Sequence, residues 1–120
     1  MAGTIIADTW QNGDGTQNYK CRAWVNFNGT GTVAIRASGN VSSITDNGVG
    51  SYGVNLITAM PDTNYAAFMN GKPGSDLILC NYMAPDNYGV STISTVYIRA
   101  TITNGPAGAD HPIVTCHIFR

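Results

Sequence analysis

The residues of this chain that could do chemistry are few and scattered. Histidine occurs twice and cysteine three times, and all seven acidic residues are aspartate. His111 lies between Asp110 and Pro112 in a loop-like stretch. His117 alternates with Cys116 and Ile118, which turns it away from the core, so both histidines read as lone surface residues. Without glutamate, paired-carboxylate catalysis needs two aspartates, and every aspartate lies in or beside a turn, where its side chain bonds nearby backbone amides. No nucleophile elbow is present. Cys21, Cys80 and Cys116 have neither CxxC spacing nor a Cys/His cluster, which argues against zinc. Each sits in an apolar strand pattern and is expected to be a buried free thiol acting as a small hydrophobe, in keeping with synthesis in a reducing cytoplasm. Gly48-Val49-Gly50-Ser51-Tyr52-Gly53 matches G-x-G-x-x-G. A dinucleotide site requires a strand before that motif and a helix N-terminus after it, whereas a strand-like run follows here. The motif is expected to be a hairpin loop. The residues therefore predict no enzyme, no cofactor and no metal.

The elements that must position these side chains are strands. From Tyr19 to Ile44 the chain reads YKCRAWVNFNGTGTVAIRASGNVSSI. Cys21, Ala23, Val25 and Phe27 point one way, while Lys20, Arg22, Trp24 and Asn26 point the other. Asn28-Gly29-Thr30-Gly31 permits a reversal, and Val33, Ile35 and Ala37 alternate on the return. After Gly39-Asn40 a third strand begins at Val41 and closes at Asp46-Asn47-Gly48. Further strands are expected over Val54–Met60, Tyr65–Met69, Leu77–Tyr82, Ile93–Thr103 and Ile113–Phe119. Loops are expected over 46–53, 70–74 and 104–112, with turns at Pro61-Asp62 and Pro85–Tyr88. About eight short strands without a sustained helical period need two packed sheets to hide their apolar faces. The expected fold is an all-β antiparallel sandwich with no significant helix, jelly-roll-like as the preferred variant.

Composition narrows the function classes. Charged residues make up 11% of the 120-residue chain, against about 25% in typical domains. Lysine occurs only at 20 and 72. Glu and Lys solvate helix faces, so their scarcity agrees with strands. The net charge of −1 gives no electrostatic case for nucleic acid or an anionic membrane. No secretory leader opens the chain and no apolar run is long enough to span a bilayer, so membrane insertion is not expected. The Asn28-Gly29-Thr30 and Asn40-Val41-Ser42 sequons then carry no meaning. The expected organisation is an N-terminal arm over residues 1–18, docking or forming an edge strand, and one domain over 19–120. Ile5, Ile6 and Trp10 are the arm's candidate anchors, in cis or on a neighbouring subunit. Arg22, Trp24 and Arg36 are expected to share an outward face. An arginine over a tryptophan ring is ordinary there, but Arg and Trp also dominate partner contacts.

The string from Cys21 to Ser38, followed by Asn40-Val41-Ser42-Ser43-Ile44-Thr45-Asp46-Asn47-Gly48, resembles a domain of tailed bacteriophages, notably those of marine and cyanobacterial hosts. Ala59-Met60-Pro61-Asp62 with Asn64-Tyr65-Ala66, and the ending Cys116-His117-Ile118-Phe119-Arg120, are similar to the same domain. The resemblance covers about residues 20–120. In that family the domain commonly ends tail-fibre-like virion proteins. It implies a non-enzymatic protein of the virion surface, made in the host cytoplasm, acting as a symmetric homo-oligomer with a trimer favoured. A fibre needs a shaft ahead of its tip, and residues 1–18 leave no room for one. The expectation is therefore a free-standing capsid cement or decoration module on the major capsid protein. The alternative is a tail component, a receptor-binding tip that offers Tyr52, Tyr82 and Tyr88 to host polysaccharide.

Overall fold

A computed structural model describes residues 3, 4, 6, 8–16, 19–72, 79–83, 91–102 and 108–120, with only the backbone at 79–83 and 102. Eight strands run through these residues: β1 (Cys21–Asn28), β2 (Ala34–Gly39), β3 (Val41–Gly48), β4 (Ser51–Leu56), β5 (Ala66–Lys72), β6 (Leu79–Met83), β7 (Thr95–Ile102) and β8 (Ile113–Phe119). They form two four-stranded antiparallel sheets, ordered β2-β1-β8-β5 and β3-β4-β7-β6. No helix occurs among the described residues, and none is long and apolar enough to cross a membrane. The all-β sandwich expected from the alternation is present. Its strand order does not establish the jelly-roll winding, because the hairpins β1–β2, β3–β4 and β6–β7 each stay within one sheet.

The core lies where the inward rows of the two sheets meet. The first sheet contributes Ala23, Val25 and Phe27 from β1 and Val114, Cys116 and Ile118 from β8. The second contributes Tyr52, Val54 and Leu56 from β4 and Val96, Ile98 and Ala100 from β7. Side chains alternate across a pleated strand, so the hydrophobic pattern fixes which residues enter this layer. Phe27 meets Tyr52 across the sandwich edge-to-face, with ring centroids 5.0 Å apart. Each large side chain buried there stabilises by about 1.5–3 kcal/mol.

Two connections decide the path of the chain. Asn28 closes the end of β1: its Oδ1 accepts from Thr30 N and Thr30 Oγ1, and its Nδ2 donates to Thr30 O. The step from β2 to β3 changes sheets at Asn40, which adopts a positive φ of 58°. Its amide Nδ2 donates to Arg22 O and Thr58 O, and its Oδ1 accepts from Thr58 N at 2.7 Å. Asn tolerates this conformation better than most residues and here bonds both flanking segments.

Several boundaries differ from expectation. Residues 46–53 are not one loop. β3 continues to Gly48 and β4 begins at Ser51, leaving Val49-Gly50 as the turn. Gly48 and Gly50 take φ values of 121° and 70°, so the glycines serve a tight reversal. β4 stops at Leu56, and the expected strand toward Met60 gives way to bends, with Ile57 exposed. β5 extends through Lys72, so only residues 73 and 74 of the expected 70–74 loop fall beyond it, outside the described residues. The Pro85–Tyr88 turn and Leu77 also lie outside them. At Pro61-Asp62 the reversal is present, with Asp62 Oδ1 accepting from Asn64 N at 2.8 Å.

Cys21 corrects another expectation, for it is exposed and not buried. The β1–β8 register shifts between Cys21 and Ala23. This bulge at Arg22 breaks the alternation and rotates Cys21 out of the core row. Cys116 is buried as expected, and burial pushes its thiol up to about 12, which keeps it protonated and unreactive. The Cys80 side chain lies outside the described residues.

Candidate functional site

The two outer faces of the sandwich differ in chemistry. On the sheet β3-β4-β7-β6, register places Ser43, Asn55 and Thr95 in one outward row and Thr45, Gly53 and Tyr97 in the next. Asn55 Nδ2 donates to Ser43 Oγ at 3.0 Å and to Thr45 Oγ1 at 2.9 Å, while its Oδ1 accepts from Thr95 Oγ1 at 3.0 Å. Around Asn55 this face is a polar lattice whose side chains bond one another, and the side chains of β6 lie outside the described residues.

The outer face of β2-β1-β8-β5 is organised around aromatic rings. Gly39, Trp24, His117 and Phe68 align across the four strands. Phe119 and Ala66 form the neighbouring row, and Phe68 meets Phe119 edge-on at 6.2 Å. Trp24 remains 40% exposed and Phe68 60% exposed. The Trp24 indole lies over Gly39 so closely that a Cβ there would stand 2.5 Å from Nε1. Backbone thus covers one side of the ring and leaves the other open. Toward the far end of the face the residues turn polar, with Asn26, Thr115 and Asn70 in register.

Arg22, Trp24 and Arg36, the expected trio, are all exposed and each has different neighbours. Trp24 belongs to the aromatic row. Arg36 Nη2 donates to Pro112 O at 2.6 Å, and its Nη1 reaches Asn26 Oδ1 at 3.4 Å, so it is held toward the polar end within its own chain. Arg22 instead lines a hollow with Trp10, Tyr19, Lys20 and Arg120. Lys20 Nζ lies over the Trp10 ring, 5.2 Å from its centroid, in a cation–π contact. Of the other arm candidates, Ile6 is 92% exposed, and Ile5 lies outside the described residues. Phe68 and Phe119 were missed in the sequence. The signal for Phe68 was its place between the inward-facing Ala67 and Met69.

A second cluster sits inside the sandwich edge. Tyr52 reaches Gly29 O at 3.0 Å and Asp110 Oδ1 at 2.8 Å with its hydroxyl, and Asp110 Oδ1 also accepts from Gly50 N at 2.8 Å. Gly29 N donates to His111 O. These bonds tie residues 108–112 to the loop after β1. Tyr52 is fully buried. Burial and the adjacent Asp110 carboxylate hold its phenol protonated well above the usual tyrosine range.

His111 corrects the expectation of a surface histidine, being only 1% exposed. Its ring packs on Gly71, where a Cβ would lie 2.8 Å from Cδ2. Burial lowers its basicity more than Asp110 and a hydrogen bond to the Thr101 backbone raise it, and its Nε2 has no partner among the described residues. His117 does face outward, half-buried in the aromatic row. The bonds among Tyr52, Gly29, Gly50 and Asp110 make the cluster a structural tie. Among the described residues no group of three or more His, Cys, Asp or Glu side chains is placed to hold a metal ion.

Comparison with protein-family models, with curated proteins and with solved structures finds no match to this chain.

Proposed function

We propose that this chain is a non-enzymatic structural protein of a tailed-phage virion, a cement or decoration module that docks on the major capsid protein through the outer face of the β2-β1-β8-β5 sheet. The observation that carries this reading is the contrast between the two outer faces. Among the described residues, one carries a polar lattice around Asn55 with its hydrogen bonds made internally, and the other holds Trp24 and Phe68 open to solvent beside His117 and Phe119. Exposed clustered aromatics stabilise an assembly by losing water on contact, whereas a satisfied polar lattice gains little from a partner. The resemblance of residues 20–120 to a virion domain supplies the particle. A protein that binds the assembled shell and not its free subunits stabilises the shell by mass action.

The receptor-tip alternative loses one of its expected contacts, because Tyr52 is buried. Tyr88 and the Tyr82 side chain lie outside the described residues. The test is co-sedimentation of the purified chain with empty capsids of the phage that encodes it. Wild type is expected to pellet with the shells, and Phe68→Asp is expected to remain in the supernatant with an unchanged melting temperature. Binding of Phe68→Asp at wild-type affinity overturns the proposed face. Copy number per virion separates head from tail, with hundreds expected for a capsid module.

A further inference from the structure

We propose that the hollow between the arm and the paired ends of β1 and β8 is a subsite for one carboxylate-bearing sugar residue of an acidic polysaccharide. The inference goes beyond shell docking and does not depend on it. The chain has six Lys and Arg residues in all, and three of them, Lys20, Arg22 and Arg120, line this one hollow of about 110 Å³. Such convergence in a charge-poor sequence calls for a reason, and an anion supplies one.

Two of the cations are held in place. Arg120 Nε and Nη2 donate to the two carboxylate oxygens of Asp62 at 2.9 and 2.6 Å. This fork fixes the guanidinium plane and leaves other N–H groups free to donate. Lys20 is seated over the Trp10 ring. Cations positioned before a ligand arrives lose less freedom on binding it.

The remaining lining selects among anions. Trp10 and Tyr19 are both well exposed and offer flat apolar surface to the C–H face of a sugar ring. Asp8 and Thr9 complete the wall and accept or donate to hydroxyls. Asp8 in the wall accepts hydrogen bonds, which a ligand rich in hydroxyls supplies. A ligand with one carboxylate and several hydroxyls satisfies both kinds of group. The volume is below that of a site enclosing a whole small molecule, about 300–1,000 Å³. It fits one residue of a chain that continues into solvent, with affinity gained by several copies on one particle.

The test measures binding of the full-length chain to an array of uronate- and sialate-bearing oligosaccharides, followed by calorimetry with the best of them. Carboxylated glycans are expected to bind, with at least tenfold weaker binding of the same glycan after methyl esterification. Arg22→Gln and Trp10→Ala are each expected to weaken binding at least fivefold. Tyr19→Ala serves as a second aromatic variant should Trp10→Ala displace the arm. Lys72→Gln, which removes the same charge elsewhere, is expected to bind like wild type. No binding to any carboxylated glycan overturns the proposal, as does equal binding of the ester or indifference to Arg22→Gln and Trp10→Ala. Competition by poly-glutamate as strong as that by the glycan also overturns it, in favour of a protein ligand. Phe68→Asp is outside the hollow, so loss of shell binding in that variant with glycan binding retained separates this site from the docking face.

Discussion

Removing the Tyr52 hydroxyl tests whether the loop at 108–112 is tied to the sandwich as described. Tyr52→Phe keeps the buried ring and its edge-on contact with Phe27 at 5.0 Å. It deletes the one hydroxyl that reaches both Gly29 O and Asp110 Oδ1. One proton cannot serve two acceptors fully, so the loss is less than two independent bonds. A net hydrogen bond contributes about 0.5–1.5 kcal/mol, and a buried acceptor left unpaired costs about 1–3 kcal/mol. Asp110 is exposed, keeps Gly50 N as a donor and can recruit water, whereas Gly29 is buried and cannot do so easily. The expected destabilisation is therefore roughly 1.5–3 kcal/mol, or roughly 5–12 °C in melting temperature for a domain of this size. Urea titration should show a lower midpoint with an unchanged slope. A cycle with Asp110→Asn should return a coupling of about 0.5–2 kcal/mol. A midpoint for Tyr52→Phe indistinguishable from wild type, or a coupling of zero, refutes the tie.

Lowering the pH should destabilise the fold through His111. Its native pKa is depressed by burial, so below the ordinary value of about 6.5 the unfolded chain takes a proton that the native state refuses. Unfolding free energy should fall as pH drops from about 6.5 toward the native pKa, and His111→Gln should flatten that slope in urea titrations at several pH values. Gly71→Ala places a methyl against the His111 ring and is expected to cost about 1–3 kcal/mol by overpacking, read as a lower urea midpoint. Thiol labelling followed by peptide mass spectrometry should modify Cys21 at once and Cys116 only on unfolding, because Cys21 is exposed and Cys116 is buried and protonated. Deleting residues 1–12 should leave the sandwich folded by circular dichroism and abolish attachment to the particle; unchanged capsid affinity would dismiss the arm as an anchor.

The parts of the fold legible in the sequence are those written in local alternation. β1 and β8 were readable because each buries one face and exposes the other, and the Asn28-Gly29-Thr30-Gly31 reversal because its residue types tolerate the turn. Reading failed where geometry depends on distant residues. The glycines at 48, 50 and 53 suggested a long loop, yet Gly53 lies within a strand beneath the Tyr97 ring. His111 looked solvated because its neighbours are polar and loop-like, but its burial comes from packing on Gly71, a contact that no local pattern encodes. Cys21 left the core through a one-residue bulge, which periodicity cannot show. The hollow joins residues 8–10, 19, 20, 22 and 120, a set brought together by the pairing of β1 with β8 and by the arm folding beside it.

The distribution of unspent interactions over the surface argues for which part of the molecule meets others. A side chain whose polar atoms are already bonded within the chain gains little by exchanging those bonds for a partner's, since each exchange also removes water. The lattice around Asn55 is in that state, and so is Arg36, committed to Pro112 and Asn26. Trp24 and Phe68 are not, because open aromatic surface loses an unfavourable hydration when it is covered. Arg22 and Lys20 stand beside open aromatic rings at the end of the same sheet. Among the described residues, one sheet and its arm thus hold both open aromatic surface and clustered charge, while the patch around Asn55 on the other sheet bonds to itself. Substitutions that disable binding should therefore concentrate on β1, β5, β8 and the arm, and substitutions on the outer positions of β3 and β4 should alter stability without altering attachment.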